Sequence, residues 1–96
     1  MNVLTIITTL NVKEDKTVYL KEALLKLIHD SLGQNGCLRY DLHQDNKDPN
    51  KFIIVEHWTG YDSWESNRGS EHMSEYVKMV DDSCLDWKIH ELTKIS

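Results

Sequence analysis

Two runs of alternating residues flank a stretch of pure turn chemistry, and this arrangement limits the chain more than any other feature. Cys37-Leu38-Arg39-Tyr40-Asp41-Leu42 comes first, Asp45-Asn46-Lys47-Asp48-Pro49-Asn50 follows, and Phe52-Ile53-Ile54-Val55-Glu56-His57-Trp58 comes last. Alternation with period two is the pattern of half-buried β-strands, and Asp, Asn and Pro favour tight reversal between them. The spacing predicts an antiparallel hairpin, with strand two at about 37–44 and strand three at about 51–58. Strand two would set Leu38, Tyr40 and Leu42 against Cys37, Arg39 and Asp41. Strand three sets Phe52, Ile54, Glu56 and Trp58 against Ile53, Val55 and His57, so a carboxyl and a large aromatic share an apolar face. Thr59-Gly60 ends it.

The flanking segments complete an architecture. Residues 3–12 are dense in β-branched types and read as strand one, with apolar groups on both parities, so both faces of the sheet are expected to be covered. From Asp15 to Leu32, Val18, Leu24, Leu25, Ile28 and Leu32 recur at helical spacing, with Lys21, Glu22, Lys26 and Asp30 mostly opposite. Gly33 and the turn Gln34-Asn35-Gly36 close this helix. After strand three the pattern predicts a short helix at about 62–67 and a second at about 71–81, split at Arg68-Gly69-Ser70. Ser70 suits the N-cap, and Met73, Tyr76, Val77 and Val80 form an apolar stripe. Asp81-Asp82-Ser83 should end the helix, because acids oppose the dipole there. Strand four is expected at about 84–93. The order β-α-β-β-α-β is the ferredoxin-like arrangement: an α+β fold with a four-stranded antiparallel sheet. Residues 1–96 make a single domain. Its helices can cover one sheet face, and the sheet of a second subunit is the simplest cover for the other, so a homodimer is expected.

Sixteen acids against eleven bases give a net charge of −5, and no basic stripe exists, so no nucleic-acid partner is expected. No apolar run approaches the ~20 residues of a membrane span, and the N-terminus carries no signal-peptide pattern. Cys37 and Cys84 lie 47 positions apart without a CxxC spacing, which fits reduced thiols in a cytoplasmic protein. The histidines at 29, 43, 57, 72 and 90 are scattered with no metal-ligand spacing, so neither a metal nor another cofactor is expected.

The whole chain resembles the antibiotic biosynthesis monooxygenase family, including its bacterial quinol-monooxygenase-like members. The resemblance is carried by Gly36, Cys37, Leu38, Tyr40, Asp48, Pro49, Phe52, Glu56, Trp58 and His72. Gln34 and Asn35 replace the usual acid and proline before the glycine, and Asn67 stands where a first histidine usually falls. The resemblance implies a dimeric α+β barrel, and oxidation of an electron-rich phenol or quinol by O₂ without metal or flavin. Relatives also include isomerases, haem-degrading proteins and members without known activity. Haem degradation fits poorly, since strand one offers Thr8 and Thr9 in place of asparagine and Val77 falls near the ligand position.

Such chemistry needs a dry apolar pocket, a group to take the phenolic proton, and donors to hold the oxyanion. His72 is the candidate base, since imidazole titrates near neutrality; its bland alternative is an exposed first-turn residue. Asn67 can orient a substrate but cannot titrate. Glu56 is either desolvated and functional or bridged to Arg39 or a lysine. Trp58, Tyr40 and Tyr76 are candidates to contact an aromatic substrate, against the alternative of plain core packing. A non-catalytic dimeric ligand-binding or stress-response protein using the same pocket is the alternative class, favoured by Asn67 in place of the usual histidine. The resemblance also leaves room for an isomerase of a small metabolite on the same scaffold.

Overall fold

A computed structural model describes residues 3–96. Its elements are β1 (Leu4–Val12), a 3₁₀ turn (Glu14–Lys16), α1 (Thr17–Leu32), β2 (Cys37–Gln44), β3 (Lys51–Trp58), α2 (Tyr61–Arg68), α3 (Glu71–Ser83) and β4 (Cys84–Thr93). The strands form one four-stranded antiparallel sheet in the order β2-β3-β1-β4, the ferredoxin-like topology. Among the described residues no helix is long and apolar enough to cross a membrane.

The pleat sorts β1 and β3 by parity. Leu4, Ile6, Thr8, Leu10 and Val12 are buried, as are Phe52, Ile54, Glu56 and Trp58. The intervening residues are only half-buried. The register joins Leu4 to Trp58, Ile6 to Glu56, Thr8 to Ile54 and Leu10 to Phe52, so both buried sets fall on one face. Three helices lie over that face. On the other face Ile7, Ile53 and Val55 remain half-buried, since no element among the described residues covers them.

Expectations for three elements, α1, β2 and α3, need correction. α1 buries Leu20, Leu24, Leu27 and Ser31, whereas Val18, Leu25 and Leu32 are 71, 52 and 51 % exposed. Leucines occur in two helical phases, and the buried serine hides the phase that packs. In β2 a register shift between Cys37 and Arg39 makes a β-bulge, which leaves Leu38 56 % exposed and packs Cys37 against the core beside Tyr40. Ser70 occupies the N-cap position of α3, but its hydroxyl makes no capping bond. α3 also runs through the two acids to Ser83 and passes directly into β4. There Asp81 accepts a hydrogen bond from Trp87 Nε1 (2.7 Å), which offsets the small dipole penalty.

The turn into β2 fixes the entrance of α2. Gly36 has φ +85°, and a Cβ there would lie 2.4 Å from Ser63 Cβ, so only glycine fits. Its carbonyl accepts the Thr59 amide (2.9 Å), tying the α1–β2 turn to the end of β3.

Candidate functional site

The covered face and the helices do not close completely. A cavity of about 270 Å³ remains between them. Ile6, Thr8 and Leu10 of β1, Ile54 and Glu56 of β3, Tyr40 of β2, and Trp87 and Ile89 of β4 form its floor. Leu24 and Leu27 of α1, Trp64, Asn67 and Arg68 of α2, and Met73, Tyr76, Val77 and Val80 of α3 form its roof. Arg68 and Val77 are also exposed, so the cavity meets solvent between α2 and α3. Arg68 stacks over the Trp64 ring at 5.1 Å, the contact that helical i,i+4 spacing favours.

Glu56 is the one carboxyl on the wall and is only 5 % exposed. Its neighbour two residues along the same face, Trp58, is fully buried and donates Nε1–H to Glu56 Oε1 at 3.0 Å. Arg39 does not reach it: the bulge leaves that guanidinium paired with Asp41 at the surface, so the bridged alternative is not realised with Arg39. Among the described residues no cation pairs with Glu56. Burial pushes its pKa from 4.5 up to about 7, with the indole hydrogen bond pulling the other way. Tyr40, paired across the strands with Glu56, has its phenol pKa raised by burial and then by the Glu56 charge, so it stays an O–H donor. The Tyr76 phenol is raised too, by burial and then by Asp30 and Glu75.

Asn67 is buried on the wall, and its side-chain oxygen finds no hydrogen-bond partner among the described residues. Its backbone carbonyl accepts the Ser70 hydroxyl at 2.6 Å. That hydroxyl has one proton, already committed, so at 2.9 Å from His72 Nδ1 it accepts an Nδ1–H. The network therefore places a proton on His72 Nδ1, while Nε2 is buried with no hydrogen-bond partner among the described residues. His72 does not line the cavity, and neither does Trp58. Of the six sequence candidates, Glu56, Tyr40, Asn67 and Tyr76 converge on the wall; Trp58 touches it through Glu56, and His72 sits in the α2–α3 corner. Arg68 was missed by sequence reasoning, although its four-residue spacing from Trp64 was a signal. Among the described residues no three His, Cys, Asp or Glu side chains are grouped to hold a metal ion.

An open four-stranded antiparallel sheet with helices on one face and a cavity beneath them defines a ferredoxin-like α+β domain. Residues 3–79 match the family model described as antibiotic biosynthesis monooxygenase, and the chain belongs to that family. It is similar throughout to a Pseudomonas aeruginosa protein of known crystal structure (28 % identity, TM-score 0.92, covering 100 % of this chain and 97 % of that one). The fold is also that of a crystallised antibiotic biosynthesis monooxygenase (21 % identity, TM-score 0.91, covering 97 and 99 %). A conserved protein from Methanosarcina mazei Go1 shares it as well (21 % identity, TM-score 0.93, covering 99 and 95 %). No curated protein matches the chain by sequence.

Proposed function

We propose that the protein is a cofactor-independent monooxygenase that oxidises a small quinol or phenolic aromatic with O₂. The observation that carries this reading is the cavity: about 270 Å³, mostly apolar, with a carboxyl, an amide and two phenols placed at its wall. Ligand pockets start near ~300 Å³, and a dry cavity of about 150 Å³ takes a benzene ring, so this one suits a substrate of one or two rings. Apolar walls favour an aromatic ring and exclude water from reactive oxygen intermediates. The phenols of Tyr40 and Tyr76 and the amide of Asn67 are the groups that would hold the substrate's oxygens.

The reaction closes without an external reductant. The substrate hydroxyl loses its proton, the ring passes one electron to O₂, and the two radicals combine at a ring carbon as a peroxide. Loss of water leaves a carbonyl at that carbon. One oxygen atom stays on the product and the other departs as water.

Oxygen consumption with a panel of single-ring quinols, in chelator-treated buffer, tests this reading. One O₂ should disappear per quinol oxidised, in proportion to protein. No protein-dependent uptake across the panel would sink it.

We also infer that the uncovered sheet face packs against the same face of a second copy. Support comes from the half-buried Ile7, Ile53 and Val55 on that face, and from the small core of a 96-residue chain. Sedimentation should find a dimer at micromolar concentration; a stable monomer would contradict this.

A further inference from the structure

We propose that Glu56 is the proton acceptor for the hydroxyl of a molecule held in the cavity, and that Trp58 is the positioning residue that orients it. The proposal deepens the oxygenase reading and rests on it for its chemistry. Its grounds are geometric. A carboxylate has two oxygens and several lone pairs to satisfy. Oε1 accepts the Trp58 indole N–H, and no described residue donates to Oε2. Glu56 lines the cavity, which is where a donor to that second oxygen would be held. Trp58 is fully buried and holds Oε1 in place, which leaves the carboxyl little freedom to turn away.

The surroundings show why a stability role is a poor explanation. A buried carboxyl without a cation is a cost to folding, and proteins keep such groups where they do chemistry. The groups facing Glu56 are few. From β2 come Tyr40 and Cys37, from α3 Tyr76, and from α2 Arg68, which stacks on Trp64 and makes no ion pair with it. β1, β4 and α1 bring no titratable side chain to the wall. Glu56 is thus the only acid there able to switch protonation state near neutrality, where burial places it. His72, the other candidate base, sits in the α2–α3 corner off the wall, with Nε2 buried and unpartnered among the described residues.

In the proposed step the substrate O–H bond breaks and an Oε2–H bond forms as the ring's electron moves to O₂. After the radicals combine, Glu56 returns that proton to the peroxide anion. The hydroperoxide then loses water, and the carboxylate is regenerated.

The test has a binding arm and a kinetic arm. Phenol and anisole have nearly the same shape, but only phenol can donate a hydrogen bond. Calorimetric affinities across pH 5.5–8.5 should show phenol binding tighten by roughly tenfold as Glu56 ionises, the scale of a charge-assisted hydrogen bond, while anisole binding weakens. Both should become flat with pH in Glu56→Gln. If phenol and anisole follow the same pH course in the wild type, the proposal is overturned whatever the oxygen uptake shows. With an active quinol, kcat should rise with pH along a limb below about 7, since burial moves Glu56 to about 7 in the free protein and the bound hydroxyl pulls it back down. Glu56→Gln should remove that limb and lower kcat by about 10²-fold or more, with KM above neutral pH raised by no more than the roughly tenfold seen in phenol binding. Trp58→Phe removes the hydrogen bond that favours the carboxylate, so the limb should move to higher pH; a merely structural tryptophan would leave its position unaltered. An unaltered kcat limb in Glu56→Gln would end the proposal and leave the oxygenase reading intact. Absent oxygen uptake with the phenol–anisole difference present would do the reverse, leaving Glu56 as the hydroxyl acceptor of a different activity.

Discussion

Phe52 and Ile53 are adjacent in the chain and sit in different media. Phe52 lies under the helices at 0 % exposure, while Ile53 lies half-buried on the uncovered face beside His43 of β2. The same contrast runs along the strand. Glu56 on the covered face has an indole N–H for a partner and no cation, whereas Arg39 and Asp41 on β2 pair at the surface. Charges on the uncovered face have water and each other. The one buried carboxyl on the covered face has a cavity. Burial therefore makes Glu56 a group whose protonation is set by its surroundings and by whatever enters that cavity.

The largest expected effect tests the contrast at its root. Phe52→Ala should destabilise the fold by about 3–5 kcal/mol, the range for a buried aromatic truncated in a packed core. Ile53→Ala, one residue on, should cost well under half of that in denaturant melts at low protein concentration. Equal losses would mean that the two faces are not energetically distinct.

The second effect belongs to Glu56. Its folded-state pKa of about 7 lies above the ordinary 4.5, so the native state holds the proton more tightly than the unfolded chain. Stability from this group is fully present below about 4.5 and is lost as pH rises through about 7. A shift of this size corresponds to about 3 kcal/mol. Chemical denaturation at pH 5 and pH 8 should show the decline in the wild type and much less of it in Glu56→Gln. A wild type that is no less stable at pH 8 would place the carboxyl in contact with solvent.

Gly36→Ala should cost about 1–3 kcal/mol, because a side chain at φ +85° is strained and would meet Ser63. Thermal melts read this, and the loss should spread to the α2 entrance. The smallest effect lies on the uncovered face. Removing the Arg39–Asp41 pair by Asp41→Asn should change stability by less than about 1 kcal/mol, since both partners are solvent-exposed and screened.

How much of this was legible in the sequence follows the same division. The bounds 37–44, 51–58 and 84–93 match the strands because alternation and the Asp45–Asn50 turn define them locally. In that turn Asp45 Oδ1 accepts the backbone amides of Lys47 and Asp48, a bond pattern readable from residue types alone. The shared face of Glu56 and Trp58 was legible for the same reason. The phase of α1 was not, because Ser31 in its buried stripe and leucines at exposed Leu25 and Leu32 give two competing patterns. Leu38 misled because a bulge breaks strict alternation where β2 begins. The position of His72 depends on how α2 and α3 meet. Ser70 could cap the helix or hold the imidazole, and only tertiary closure chooses the second.

The protonation state of the Glu56 carboxyl can be observed directly. Carbon-13 NMR of protein labelled at the glutamate side-chain carboxyl would follow Glu56 through a pH titration, with Glu56→Gln assigning the signal. The expected midpoint is about 7, and saturating phenol should move it down because the hydroxyl stabilises the carboxylate. A midpoint near 4.5 that phenol leaves unchanged would contradict the claim that Glu56 faces an apolar, hydroxyl-binding cavity.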